Sequence, residues 1–119
     1  MESSENDKNE NVMSKLYGDY LPELNKYLDE LNPEFSTIVK NFAYNNIWSR
    51  DGLDIKTKSL ITISALMSSG KEDQLLIHMK GFLNAGGTIQ DLNNVIIHLS
   101  IYTGFPTALN AFKTLKKLV

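Results

Sequence analysis

Two histidines, His78 and His98, stand among apolar residues at helical spacing rather than in runs of charge. An imidazole has an ordinary pKa near neutrality, and burial or a neighbouring charge readily moves it, so either ring suits general acid–base work beside a reacting carbon. Arg50, within Trp48-Ser49-Arg50-Asp51-Gly52-Leu53-Asp54, offers paired donors for a carboxylate, a geometry that lysine does not reproduce. Trp48 is a candidate pocket wall and Tyr102 a candidate donor to an oxyanion. Each also has a structural reading. The histidines can be satisfied by backbone or hydroxyl neighbours, Arg50 can pair with Asp51 or Asp54, and Trp48 and Tyr102 can be packing residues.

Other chemistries find little support. The chain has no cysteine, which removes disulfides, thiolate metal sites, iron–sulfur clusters and cysteine peroxidase chemistry. His78 and His98 lack a close ligand spacing such as His-x-x-x-His, so no metal is expected. Ser59, Ser64 and Ser68 have no evident histidine–acid relay, and Gly86-Gly87 lacks the lysine and preceding strand of a phosphate loop. A formal charge of −2 over 119 residues gives no basic face for nucleic acid or an anionic membrane. With no basic, apolar leader and no run of about 18 apolar residues, the expectation is a cytoplasmic protein.

The elements that must position these residues are helical. Residues 1–11 are polar and predict a disordered tail, and 12–119 read as one domain. Apolar positions from Val12 to Leu31 predict two helical pieces joined near Gly18 to Leu21, with Pro22 opening the second. Asn32-Pro33 starts a helix whose stripe of Phe35, Ile38, Val39, Phe42 and Ala43 runs to about Asn45. Trp48 to Asp54 reads as a loop, with Asp54 capping the next helix. That helix, Ile55 to Met67, is apolar around most of its circumference, which favours burial between subunits as well as within one.

Gly70 ends it, and Glu72-Asp73 open a helix on which His78 shares a face with Leu75, Phe82 and Ala85. Gly86-Gly87 is a left-handed stop, and Thr88 caps a helix with Leu92, Val95, Ile96, Leu99 and Tyr102 as its core stripe and His98 beside it. Gly104 and Pro106 separate it from a last helix carrying Lys113, Lys116 and Lys117 toward its end. The fold class is therefore all-α, with about six helices.

Trp48-x-Arg50-x-Gly52-Leu53-Asp54, then Lys56-x-Lys58-Ser59-Leu60, Gln74-Leu75-x-x-His78, Asn84-x-Gly86-x-Thr88 and His98-Leu99-x-x-Tyr102-x-Gly104-Phe105-Pro106, resemble the carboxymuconolactone decarboxylase family in that order. The resemblance covers roughly Gly18 to Leu115. It implies an alkyl hydroperoxidase D-like helical subunit, assembled as a trimer or homohexamer and acting without metal or organic cofactor. The implied reaction converts γ-carboxymuconolactone to β-ketoadipate enol-lactone and carbon dioxide, in aromatic catabolism. The implied partner is thus a small carboxylated lactone or related organic acid.

On this reading His78 is the leading general acid and Arg50 the carboxylate anchor, while His98 and Tyr102 orient substrate or stabilise the enolate. The alternative is a non-catalytic, oligomeric binding or scaffold member of the family. Two positions depart from the pattern: Lys58 stands where the family often has arginine, and Asn94 where it often has glutamate. An amide cannot give or take a proton as a carboxylate does. The cysteines of the related peroxidases would fall at Lys71 and Gln74.

Overall fold

The computed structural model describes residues 12–119, so the tail expected over 1–11 lies outside the described residues. Among those described, the regular structure is helical and contains no strand. They fall into two compact units, one ending at Ile55 and one beginning at Lys56.

In the first unit, residues 12–17 are helical and turn through a short 3-10 stretch, Gly18–Tyr20, into α1 (Leu21–Leu31), which has Pro22 in its first turn. Gly18 adopts a φ of 51°, a conformation costly for a residue with a Cβ. α2 (Pro33–Ile38) begins where Asn32-Pro33 predicts, because Asn32 Oδ1 accepts the Phe35 amide at 2.9 Å and Pro33 sits where no amide is needed.

The end of this helix differs from the expectation. α2 continues into a π-helical segment, Val39–Trp48, so Trp48 is its last residue and the loop begins at Ser49. Amides past the expected end still find helical carbonyls: Ser49 N–H donates to Tyr44 at 3.1 Å and Arg50 N–H to Ile47 at 3.2 Å. Tyr44 stacks on Trp48 with ring centroids 6.1 Å apart, and its hydroxyl hydrogen-bonds that of Tyr17. Burial is the main cause raising the pKa of both tyrosines.

The stripe of Phe35, Ile38 and Phe42 is present but faces outward. The face turned toward α1 carries Ser36 instead, whose Oγ donates to Asp29 Oδ1 at 2.6 Å. That bond, with Lys40 Nζ at 3.3 Å, holds the Asp29 carboxyl below the usual carboxylate range.

The second unit is built from α3 (Ile55–Ser68, whose first residue closes the first unit), α4 (Glu72–Asn84), α5 (Ile89–Thr103) and α6 (Phe105–Lys116). Each contributes one stripe to a single core: Ile63 and Met67 from α3, Leu75, Met79 and Phe82 from α4, Leu92 and Ile96 from α5, and Ala108, Ala111 and Leu115 from α6. Burying each of the larger side chains is worth about 1.5–3 kcal/mol against leaving it in water.

Local chemistry sets the helix ends. Gly70 turns at φ 72°, and Lys71 N–H donates to the Leu66 carbonyl at 2.9 Å, reversing the chain between α3 and α4. Of the glycine pair expected to form a left-handed stop, only Gly86 has a positive φ. Gly87 has a different reason to lack a side chain, since a Cβ there would overlap the Phe82 ring. Thr88 forms a reciprocal cap with Asp91, amide to side chain at 3.0 Å in both directions.

α3 and α5 each bury only part of their apolar circumference, and the expectation for Tyr102 is corrected. On α3, Ser59, Ile63 and Met67 are buried while Ile61 is exposed. On α5, Tyr102 is 74% exposed rather than part of the core stripe. It lies six residues beyond Ile96, a rotation of about 240° around the helix, so it cannot share the face of Leu92 and Ile96. Ile97 and Ile101 are exposed as well, followed on α6 by Phe105 and Leu109.

Candidate functional site

α4 places His78 on its core face, one turn before Phe82 and one after Leu75, and leaves it 9% exposed. Burial pushes its pKa down from 6.5 to about 4, because the charged ring would lose its hydration. At neutral pH His78 is therefore an uncharged imidazole, with one N–H donor and one nitrogen able to take a proton.

His98 has the opposite setting. It lies on the exposed side of α5 against Tyr102, ring centroids 5.7 Å apart, a contact made by their four-residue spacing. It lines a groove of about 520 Å³ between α3 and α5, together with Lys56, Leu60 and Ser64 from α3, Asn94 and Leu99 from α5, and Phe82 from α4. His78 is not among the residues lining this groove, but it stands one helical turn behind Phe82, which is.

Lys56 brings a cation to this groove and is not one of the five residues the sequence singles out. Its Nζ lies 4.0 Å from Asp91 Oδ2 and 6.0 Å from the centre of the Phe82 ring. Both partners of that long ion pair are nearly half exposed, so the pairing is weak and an incoming carboxylate can compete for the lysine. Lys56 stands in the family motif Lys56-x-Lys58-Ser59-Leu60, but its place in the groove depends on α3 lying beside α5. Asn94 accepts a hydrogen bond from Gln90 Nε2 at 3.4 Å and offers an amide to the groove.

Trp48 and Arg50 belong to the first unit, Trp48 half-buried at the end of the π-helical segment and Arg50 exposed in the loop that follows. Of the five candidates, the structure brings His98 and Tyr102 into contact. Among the described residues no three of His, Asp and Glu converge as a metal site, and no helix is long and apolar enough to cross a membrane.

The carboxymuconolactone decarboxylase family model matches residues 33–117. The chain is 38% identical over 81 residues to a 4-carboxymuconolactone decarboxylase of Acinetobacter baylyi, covering 68% of this chain and 60% of that protein. It is 27% identical over 82 residues to a nitrosuccinic acid decarboxylase of Metarhizium robertsii, covering 69% of this chain and 57% of that protein. The match thus spans about three-fifths of the length of these relatives. With a family match that takes in all of α2, α4, α5 and α6 and the loop before α3, the chain belongs to the carboxymuconolactone decarboxylase family.

Proposed function

We propose that the chain is a decarboxylase of small carboxylated acids, working without metal or organic cofactor, with γ-carboxymuconolactone as the first substrate to test. The observation that carries this reading is a buried, neutral imidazole one helical turn along α4 from Phe82, which lines a groove that also holds Lys56 and His98. The two named relatives act on acids that pair a carboxylate with an electron-withdrawing group, a lactone carbonyl or a nitro group. That pairing is what loss of carbon dioxide requires.

In the proposed reaction the bond from carbon to carboxylate breaks, carbon dioxide leaves, and the electron pair passes into the neighbouring carbonyl as an enolate. A substrate carboxylate raises the proton affinity of His78, which takes up a proton on binding and delivers it to the carbon, returning to the neutral ring. Lys56 attracts the carboxylate, and His98 and Tyr102 orient the substrate or face the enolate oxygen. Arg50 is proposed as a carboxylate anchor on the family motif alone.

The assembly is proposed to be a trimer or hexamer, supported by the apolar side chains that α5 and α6 leave in water. The alternative is a binding member of the family without turnover, favoured by an amide at Asn94 rather than a carboxylate. An ultraviolet assay of γ-carboxymuconolactone and nitrosuccinic acid, with His78→Ala beside the unaltered protein, separates the two. Histidine-dependent release of carbon dioxide supports the lyase. Tight binding with no turnover from an assembled oligomer overturns it.

A further inference from the structure

α3 carries a hydroxyl that the reaction as written does not use. Ser59 is 0% exposed, and its Oγ has no hydrogen-bond partner among the described residues. Its neighbours on the same helix behave differently, Thr62 donating to the Lys58 carbonyl at 2.9 Å and Ser64 to the Leu60 carbonyl at 2.8 Å. A buried hydroxyl without a partner is destabilising, and such a group is kept where it serves another purpose.

The course of the α3–α4 hairpin points to that purpose. The short turn at Gly70 makes the two helices antiparallel, with Leu66 level with Lys71 at the turn and Lys56 level with Phe82 at the far end. Midway, Ile63 and Leu75 meet in the same core. Ser59, one turn beyond Lys56, therefore stands level with the stretch one turn before Phe82, which is His78 and Met79. Both Ser59 and His78 are buried, so both point into the packed space rather than outward. A serine and a histidine buried at one level of two adjoining helices can be brought together by rotation about χ1.

We propose that Ser59 is a positioning residue for His78, its hydroxyl accepting the N–H of one ring nitrogen so that the other is held toward the substrate. This deepens the decarboxylase reading, on which it rests. A hydroxyl in that place favours the charged ring, because its hydrogen bond strengthens when the imidazole gains a proton. Proton uptake by a ring desolvated in the core thus has an internal support.

The test is an imidazole NMR titration of the full chain as Ser59→Ala and Ser59→Thr, with Ser69→Ala as control, since Ser69 already donates to the Ala65 carbonyl at 2.8 Å. Ser59→Ala is expected to lower the His78 pKa by about half a unit or more, with Ser59→Thr restoring it and Ser69→Ala without effect. In turnover, Ser59→Ala is expected to lower kcat at least about tenfold at nearly constant KM, and to add nothing to His78→Ala. An unchanged His78 titration in Ser59→Ala, with or without a rise in Tm from losing an unpaired hydroxyl, overturns the proposal. The titration needs no substrate, so absence of turnover in the unaltered protein would sink the decarboxylase reading while the ring's response still decides the role of Ser59.

Discussion

α4 and α5 each carry one histidine on an apolar helix, yet the fold treats the two rings in opposite ways. α4 turns His78 inward between Leu75 and Phe82, where lost hydration sets its proton affinity. α5 turns His98 outward, beside Tyr102 and along a face where Ile97 and Ile101 are also exposed. One chain is thus enough to tune the first histidine. On the proposed assembly another copy would cover that face and complete the setting of the second.

The largest expected effect breaks the comparison most directly. His78→Ala should lower kcat by roughly 10²–10⁴-fold, the usual worth of a positioned acid–base group, while His98→Ala should cost about tenfold. Equal losses in steady-state kinetics would mean that burial does not separate their roles. Next, Ile97→Asp with Ile101→Asp should convert the proposed oligomer to single subunits, because burying an unpaired charge costs several kcal/mol. Sedimentation velocity reads the result, and an unaltered assembly would place the subunit contact elsewhere. Far-ultraviolet circular dichroism should not change, since both side chains already face water.

Acid should test the inward setting of His78. The folded pKa of His78 lies below its unfolded value, so the unfolded chain binds more protons between them, and stability falls as pH drops from about 6.5 toward 4. The loss is on the order of 3 kcal/mol, and His78→Gln should remove that part of it in urea unfolding at pH 7, 5 and 4. The smallest effect concerns the start of α5: Thr88→Ala should cost about 1 kcal/mol by removing one half of the cap with Asp91, seen as a lower Tm.

Much of the fold is legible in the sequence because its punctuation is chemical. Asn32-Pro33, Gly70, Thr88 and Gly104 each meet a backbone requirement that few other residues meet, and the helices start or stop there. Faces are harder to read. α5 is apolar on two sides, through Leu92 and Ile96 and again through Ile97 and Ile101, so periodicity alone cannot say which side is core and misplaces Tyr102. The π-helical segment has no simple sequence signature, so Trp48 reads as loop. Within the site, the family motif singles out His78 and His98. The parts of Lys56 and Ser59 depend on which helices become neighbours, a property of packing rather than of spacing.

Gly87 carries a last consequence. Phe82 lies between this glycine and the α3–α5 groove, with its ring where a Cβ at 87 would be. A single methyl placed there would force the ring or the backbone at 87 to shift. The Phe82 side of the groove is thus backed by a position that does not itself line it.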